Sequence, residues 1–190
     1  MLYRVLPSLP GAGPLEEGGA LFVPRLRQGS GRHDNPAQYG AIYASRDRES
    51  AVAEAIQGFR GQLLGDSDLV RGDGRRSALA AIDDSAVGTL VDLDDPADLV
   101  RRNIRPSRVA TNVRDTTQLI ALSIYQEGVP GFGWWSTLEA SWANVTLFAE
   151  RATPLLVPAG DPEPLTTDHP VLRAAADAVG VTLARRGSAR

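Results

Sequence analysis

Residues 40–63, GAIYASRDRESAVAEAIQGFRGQL, predict a strand followed directly by a helix, and the prediction of the fold starts from this pair. In the first six residues, Ile42 and Ala44 lie on one face of an extended chain and Tyr43 lies on the other, the period-two pattern of a strand. From about Asp47 onward, apolar side chains recur at helical spacing as a core-facing stripe: Val52, Ile56, Phe59 and Leu63. We therefore predict a strand over residues 40–45 and a helix over residues 47–63.

Glu54 lies away from that apolar stripe, and its neighbours on the predicted helix are all small: Ser50, Ala51, Gly58 and Gly61. Two glycines inside one helix cost about 1 kcal/mol each relative to alanine. A face of small residues around one carboxylate lets a ligand or another backbone approach closely. A single glutamate on a helix is, however, more often a solvated surface residue. Both interpretations of Glu54 stay open at this point.

Outward from this pair, further strands alternate with short helices. Strands are predicted over residues 2–5, 79–82, 88–93, 129–136, 144–148 and 154–157. Helices are predicted to begin at Asp95-Pro96, at Asp115 or Thr116, and at Thr167 or Asp168, and a long Gly/Pro-rich connection covers residues 7–40. Because these elements mix without regular βαβ spacing, we predict an α+β fold, a single domain with mixed or antiparallel sheets and short helices.

Within that domain we expect three parts. Residues 1–160 would form the main body, and residues 161–184 a C-terminal helix and strand packed on it. Residues 185–190 would form a disordered tail.

The composition excludes several kinds of chemistry. The 190 residues include no cysteine and no lysine, so all 20 basic side chains are arginines. Thiolate nucleophiles, disulfides, cysteine–zinc sites, Schiff bases and phosphate-loop lysines are therefore excluded. With only His33 and His169 as histidines we expect no metal site, and a net charge of -3 argues against direct nucleic-acid binding. Arginine, carboxylate, hydroxyl and aromatic groups remain to carry a function.

Motifs of common enzyme classes and of membrane proteins are also missing from the sequence. The dinucleotide fingerprint fails because Gly11-Ala-Gly13 is followed by Glu16 where a glycine is required. The nucleophile elbow G-x-S-x-G and the zinc motif H-E-x-x-H do not occur. No apolar run approaches the roughly 18 residues of a membrane span, and residues 1–7 lack the apolar region of a signal peptide. We therefore expect a cytoplasmic protein that does not contact a membrane.

Several short pieces, each unspecific alone, follow one another along the chain. They are Leu2-Tyr-Arg-Val5, Gly31-Arg32-His-Asp-Asn35, Ala41-Ile-Tyr-Ala-Ser45, Ala51-Val-Ala-Glu54, Thr116-Thr-Gln-Leu-Ile-Ala121, Gly131-Phe-Gly-Trp-Trp-Ser136 and Asn144-Val-Thr-Leu-Phe148. In this order, and each in the expected strand or helix, they resemble the RES domain family, named for its arginine, glutamate and serine. The resemblance spans about Tyr3 to Phe148.

The resemblance implies a fold related to ADP-ribosyltransferases, an NAD-binding domain over residues 1–160, and cleavage of NAD at its nicotinamide–ribose bond. It implies five site residues: Arg4, Arg32 of the Gly-Arg element, Tyr43 of the second strand, Glu54 and Ser136. Two positions depart from the family. Members usually carry Trp or Phe after the Gly-Arg pair, where this chain has His33, and some carry an aromatic residue where it has Val5.

These residue types suit NAD, which offers a pyrophosphate, two riboses and a flat cationic ring. The guanidinium groups of Arg4 and Arg32 bind phosphate through paired hydrogen bonds and stay charged. Glu54 would stabilise the positive charge that develops on the ribose as the bond breaks, and would orient the 2′-hydroxyl or the nucleophile. Tyr43 offers a stacking face for nicotinamide, and Ser136 can hydrogen-bond the carboxamide or the ribose.

We therefore predict Glu54, Arg4 and Ser136 as catalytic residues, and Arg4, Arg32, Tyr43 and Ser136 as residues that bind NAD. NAD would be the substrate, with no metal and no prosthetic group. Nicotinamide leaves as a neutral molecule, so the reaction needs no general acid for the leaving group.

The acceptor of the ADP-ribosyl group stays open between water, phosphate and a protein side chain. We favour a toxin that depletes free NAD. The alternatives are a protein ADP-ribosyltransferase acting through the same site and a non-catalytic relative that serves as a binding or regulatory protein. The resemblance also implies an Xre-type antitoxin as partner, with residues 7–40 and 66–76 as candidate surfaces; self-association as a homodimer stays open.

Overall fold

The structure is a computed structural model that describes residues 1–184, and these residues form two compact units. Unit 1 comprises Met1–Phe22, Ser45–Ile82 and residues 158–184. Unit 2 comprises Val23–Ala44 and Asp83–Val157. Each unit is therefore built from segments that lie far apart in the sequence.

The described residues contain short strands and short helices throughout. The strands are β1 Leu2–Ser8, β2 Ala41–Ser45, β3 Leu63–Leu64, β4 Arg76–Asp83, β5 Val91–Asp92, β6 Gly131–Trp135, β7 Ala143–Phe148, β8 Val157–Pro158, β9 Glu163–Pro164 and β10 Thr182–Leu183. The α-helices are α1 Arg48–Ile56, α2 Pro96–Arg101, α3 Pro106–Val109, α4 Arg114–Gln126, α5 Ala149–Ala152 and α6 Pro170–Val179. Three single turns of 3-10 helix lie at Arg25–Arg27, Gln57–Phe59 and Thr153–Leu155. The predicted α+β class, with mixed sheets and short helices, is confirmed.

In unit 1, β1 and β4 form a long antiparallel pair, in register from Leu2 opposite Ile82 to Ser8 opposite Arg76. β9 adds to β4 in antiparallel orientation, and β10 pairs with β3 in parallel. Helix α1 packs against β1 and against α6. Asp47 fixes the start of α1, because its carboxylate accepts the N–H groups that the first turn leaves unpaired.

In unit 2, β5 pairs with β6 in parallel and β6 pairs with β7 in antiparallel orientation, from Gly131 opposite Leu147 to Trp135 opposite Ala143. β2 follows β7 in the same sheet. One buried cluster forms the core of this unit, and its largest members are Tyr39, Leu93, Ile124, Phe132, Trp134 and Phe148. Strand β2 carries Tyr43, and strand β6 ends just before Ser136, so the sheet positions two of the predicted site residues.

The helix predicted over residues 47–63 is wrong in its second half. α1 ends at Ile56, one turn of 3-10 helix follows, and Gly61 adopts φ +74, a left-handed conformation that a glycine takes at little cost. The predicted stripe is therefore buried only at Val52 and Ile56, while Leu63 is 52% exposed. Gly58 and Gly61 lie beyond the helix, and the predicted small-residue face shrinks to Ser50 and Ala51.

Other boundaries also differ from the predictions. The strand predicted over residues 154–157 is wrong, since a 3-10 turn with Pro154 in it precedes β8. The strand predicted over residues 88–93 shortens to β5, while β1 and β4 are longer than predicted and α3 was missed. The predicted tail, residues 185–190, lies outside the described residues. Within residues 1–184, no helix has the length and apolar character to cross a membrane.

Candidate functional site

The segment that carries Arg32, residues 28–35, is held by hydrogen bonds from two other elements of unit 2. The Gln28 side chain exchanges two hydrogen bonds with the backbone of Ala41 in β2, at 2.7 and 2.9 Å. From α4, the Gln118 amide donates to the carbonyls of Gly29 and Gly31 at 3.1 and 3.0 Å. The hydroxyl of Thr117, also in α4, donates to the carbonyl of Arg32. The backbone around Arg32 is therefore fixed in position by contacts with β2 and α4.

Asp34 lies inside this segment as a buried carboxylate, with 5% of its surface exposed. Its Oδ2 accepts the backbone N–H of Gly29 at 2.8 Å and that of Gly31 at 2.7 Å. A Cβ at Gly31 would lie 2.6 Å from the Asp34 carboxylate oxygens, so only glycine allows this close approach. No role was predicted for Asp34; Gly29 and Gly31, just before it in the sequence, were the available signal for such a turn.

Tyr43 is tied to the same segment through its hydroxyl. The hydroxyl accepts the backbone N–H of His33 at 2.8 Å and donates to Asp34 Oδ1 at 2.7 Å. Burial, and then the neighbouring Asp34 charge, raise the pKa of Tyr43 far above its ordinary value of 10.0. Tyr43 is therefore neutral at any physiological pH. The structure brings Tyr43 together with the Arg32 segment.

The guanidinium of Arg32 bridges its own segment to residues 109–112. Its Nη1 donates to the carbonyls of Val109 and Thr111 at 3.0 and 2.7 Å, and its Nη2 donates to Asn112 Oδ1 at 3.4 Å. The group also lies over the ring of Trp134, 5.3 Å from the centroid, in a cation–π contact. Arg32 thus has a structural task in unit 2, whatever further contacts it makes.

His33 is buried, with 2% exposed, where the family usually has an aromatic residue. Its Nδ1 lies 2.8 Å from Thr146 Oγ1, which accepts the indole N–H of Trp134 at 3.1 Å. The ring packs edge-on against Phe132 and Trp134, with centroids 4.8 and 5.1 Å away. Burial and the nearby positive charges of Arg32 and Arg114 lower the pKa of His33 well below its ordinary value. The imidazole is therefore neutral and occupies the aromatic position as a ring in the core.

Ser136 follows β6 and is 2% exposed. Its N–H donates to the carbonyl of Trp142 at 2.8 Å, and its Oγ accepts the N–H of Leu138 at 3.1 Å. Both contacts hold the turn between β6 and β7. The predicted serine is therefore a buried residue at a strand end.

Arg4 lies in β1 of unit 1, opposite Ala80 of β4. Its Nη1 makes two long hydrogen bonds, to the carbonyls of Ala20 at 3.3 Å and Phe22 at 3.4 Å. Its Nε is fully buried and has no hydrogen-bond partner among the described residues. Burial lowers the pKa of Arg4 to about 10, so the group still carries its charge at neutral pH. Arg4 is partly buried, and a cation with so few partners is unusual in such a position, because removing a charge from water is costly unless it is paired.

Glu54 lies in the last turn of α1 in unit 1 and is half-buried. The amide of Gln57 donates to Glu54 Oε2 at 2.8 Å and to the Glu54 carbonyl at 3.1 Å. The opposite end of the helix is fixed by Asp47, which accepts the N–H groups of Glu49 and Ser50 at 2.8 and 3.0 Å. The carboxylate is thus carried by a helix whose start is capped and whose body packs on β1 and α6.

The five predicted residues fall into two sets. Arg32, Tyr43 and Ser136 belong to unit 2, and Arg4 and Glu54 belong to unit 1. A cavity of about 660 Å³ also lies in unit 1, between the loop after β1 and residues 158–164, and none of the five lines it. Within residues 1–184, no group of three or more His, Cys, Asp or Glu side chains could hold a metal ion.

Comparisons with known proteins identify a matching family and a solved structure with a similar fold. A model of the RES domain family matches residues 2–168. A chain in the crystal structure of the M. tuberculosis MbcT–MbcA toxin–antitoxin complex has the same fold, with a TM-score of 0.63 at 17% sequence identity, over 87% of this chain and 83% of that chain. The search of curated proteins gives no significant match.

Proposed function

The chain belongs to the RES domain family, and from this premise we propose that it is the toxin of a toxin–antitoxin pair and that it cleaves the nicotinamide–ribose bond of NAD. The family match supports the NAD chemistry, since it covers all five residues that suit this substrate. The fold shared with a chain of a toxin–antitoxin complex supports the biological setting. We place the reaction in the cytoplasm, where NAD and a partner protein would both be available.

The observation that carries the proposal is the incompletely paired guanidinium of Arg4. It is charged at neutral pH, and its Nε is buried without a hydrogen-bond partner in the described part of the chain. Arg4 as a whole is only partly buried, so an anion that binds the remaining N–H groups of the guanidinium would offset the cost of its incompletely paired charge. The pyrophosphate of NAD is an anion of this kind, and arginine binds phosphate oxygens through two N–H groups at once.

Glu54 is the residue to which we assign the chemistry. As the C1′–N bond breaks, its electron pair stays on the nicotinamide nitrogen, which becomes neutral, and positive charge develops on the ribose. A carboxylate held in place before the reaction stabilises that charge more in the transition state than in the bound substrate. The acceptor's oxygen then bonds to C1′ and loses its proton.

The remaining three residues would bind and orient the substrate. Tyr43 presents a ring for stacking, and the Arg32 charge attracts phosphate even while its N–H groups hold residues 109–112. Ser136 would contribute its hydroxyl to the carboxamide or the ribose. Together with Arg4 and Glu54, these are the residue types that binding and cleavage of NAD require.

The test is incubation of the purified chain with NAD, in buffers with and without phosphate, followed by chromatography. Nicotinamide with ADP-ribose identifies water as the acceptor, and a phosphorylated ADP-ribose identifies phosphate. With NAD labelled in its ADP-ribose part, transfer of the label to added proteins would instead support the alternative function, protein ADP-ribosylation. Intact NAD in the presence of folded protein would overturn the proposal and favour a binding or regulatory protein.

A matched control variant is available on the same helix. Glu49 lies in the first turn of α1, five positions before Glu54. Glu49→Gln removes an equal charge from the helix and should cleave NAD at the parent rate.

The proposed partner is an Xre-type antitoxin that keeps the toxin inactive. Expression of the chain alone should arrest growth and lower cellular NAD, and co-expression with its cognate antitoxin should restore both. Normal growth and NAD content in cells that accumulate the folded chain alone would contradict the toxin proposal.

A further inference from the structure

Asp34 is a buried carboxylate with all of its described contacts inside one short segment and one tyrosine. Its two oxygens accept three hydrogen bonds, from the N–H groups of Gly29 and Gly31 and from the hydroxyl of Tyr43, all at 2.7–2.8 Å. Three short bonds offset the cost of burying this charge. The arrangement therefore fixes Asp34 and everything bound to it in one geometry.

The Tyr43 hydroxyl is fully used by hydrogen bonds within this arrangement. It donates its O–H to Asp34, and one of its lone pairs accepts the N–H of His33. No hydroxyl proton is left for a ligand. What Tyr43 can still offer to a bound molecule is the face of its ring.

The backbone on both sides of Arg32 is tied to this arrangement. On one side, Gly31 donates its N–H to Asp34; on the other, His33 donates its N–H to Tyr43. Asp34 thus connects Arg32 and Tyr43, two of the three residues of unit 2 to which we assign NAD-binding roles.

We infer that Asp34 is a positioning residue for the NAD site, which holds the Arg32 backbone and the Tyr43 ring in their binding geometry and accepts the hydrogen bond of the Tyr43 hydroxyl. The inference rests on the proposed function, in which Arg32 and Tyr43 bind NAD. It excludes Tyr43 as a proton donor and leaves it a stacking role alone.

Asp34→Asn and Asp34→Ala separate the charge from the geometry. The asparagine oxygen can still accept the two glycine N–H groups. Its NH₂ would donate to the Tyr43 oxygen, so the O–H of Tyr43 would lose its acceptor and become available to another group. Alanine removes all three bonds. Asp68→Ala is the matched control, because Asp68 accepts the N–H of Gly65 three residues before it at 2.8 Å, as Asp34 does with Gly31, but in an exposed turn.

The first measurement is the steady-state kinetics of NAD cleavage. Loss of hydrogen bonds to a charged group that only positions binding residues should raise KM about 10- to 100-fold in Asp34→Ala while kcat stays nearly unchanged. Asp34→Asn should recover most of that loss, and Asp68→Ala should match the parent. Tyr43→Phe, which breaks the bonds of the hydroxyl to Asp34 and His33, should raise KM without lowering kcat. A parental KM in Asp34→Ala, or a loss of kcat in Tyr43→Phe as large as in Glu54→Gln, would overturn the inference.

The second measurement does not depend on turnover. Amide hydrogen exchange of residues 28–35 should become faster in Asp34→Ala. The NMR signal of the Tyr43 ring carbons can be assigned because it is lost in Tyr43→Phe. Titration of that signal should show a lower pKa for Tyr43 in Asp34→Asn than in the parent. If Asp34→Ala fails to fold, Asp34→Asn and Tyr43→Phe still decide through KM and this signal. Unchanged exchange and an unchanged Tyr43 pKa overturn the role of Asp34 alone, whereas a parent chain that neither binds nor cleaves NAD overturns the proposed function and the inference with it.

Discussion

The two predicted site arginines have opposite surroundings. Arg32 in unit 2 donates to two carbonyls at 3.0 and 2.7 Å and lies over the ring of Trp134. Arg4 in unit 1 makes two bonds of 3.3 and 3.4 Å, and its Nε is buried without a partner in the described residues. One arginine ties two segments of its unit together, while the other keeps a charge and a donor that its own surroundings satisfy only in part.

This difference shows how residues of one predicted site can contribute differently to stability and to binding. A guanidinium that satisfies several acceptors stabilises the fold, because its removal leaves those acceptors without a donor. A partly buried guanidinium with poor partners costs stability, because it has lost part of its hydration without full replacement. We therefore expect Arg32 to matter most for folding and Arg4 to matter most for ligand binding.

The largest effect is expected at Glu54, which lies in the same unit as Arg4. Glu54→Gln keeps the size and the helix propensity of the side chain but removes its charge. Loss of a preorganised electrostatic group costs about 3–4 kcal/mol in the transition state, or roughly 10²–10³ in kcat. Affinity for NAD should change much less, since the ribose charge develops only as the bond breaks. Single-turnover kinetics together with calorimetric NAD binding would measure both quantities.

The Glu49→Gln control distinguishes this effect from a general loss of helix charge. If Glu54→Gln cleaves NAD at near the parent rate, Glu54 returns to the interpretation as a partly solvated helix residue.

Arg32→Met should reduce stability more than any other substitution at the predicted site. It leaves the carbonyls of Val109 and Thr111 without their donor and removes the contact with Trp134, so the free energy of unfolding should fall by about 2–3 kcal/mol. Urea titration monitored by tryptophan fluorescence measures this change. A variant as stable as the parent would remove the structural half of the comparison between the two arginines.

Arg4→Met should give the reverse pattern. Because an apolar side chain of similar length replaces a poorly paired buried cation, the free energy of unfolding should stay within about 1 kcal/mol of the parent or rise. KM for NAD should increase about 10-fold, since the pyrophosphate loses a charged hydrogen-bond donor. The same urea titration and steady-state kinetics apply. Strong destabilisation with an unchanged KM would reverse the assignment of the two arginines.

The smallest effect is the pH dependence due to His33. Its pKa lies well below the ordinary value of 6.5 in the folded protein, so below that pH the unfolded chain binds a proton that the folded chain does not. Stability is therefore fully present above pH 6.5 and is lost as the pH falls. The contribution of His33 should be about 1 kcal/mol between pH 6.5 and pH 5.5.

His33→Phe isolates this contribution. It should flatten the pH dependence of the urea midpoint in that range, whereas His169→Gln should retain it. An equally steep pH dependence in His33→Phe would show that other groups cause the loss.

Several elements could be predicted from the sequence because their signals are local. The strand over residues 40–45 became β2, Asp95-Pro96 begins α2, and a C-terminal helix ends before Gly180, as capping and turn chemistry predict. Helix length was harder to predict. Phe59 and Leu63 continue the apolar spacing of α1, but the chain leaves the helix at Gly58 and Gly61. Apolar spacing alone does not show where a helix ends.

The candidate residues could be named from the sequence, but their contacts could not. Arg32 bonds to residues 77–80 positions away, and His33 bonds to Thr146 in another strand. Asp34 was visible in the sequence as one polar residue of a loop. Its burial, and its bond to the Tyr43 hydroxyl, depend on how the loop folds back onto β2.

The α+β class, the family and the absence of cysteine and lysine chemistry can be read from local patterns, from the order of short motifs and from composition. Which charges are paired depends on the folded chain. Within residues 1–184, Arg4 makes two long bonds and its Nε has no partner, Asp34 accepts three short bonds, and His33 is buried as a neutral ring. The physical reason is that burial and hydrogen-bond partners come from residues distant in the chain. Periodicity and spacing report only on neighbours within a few turns.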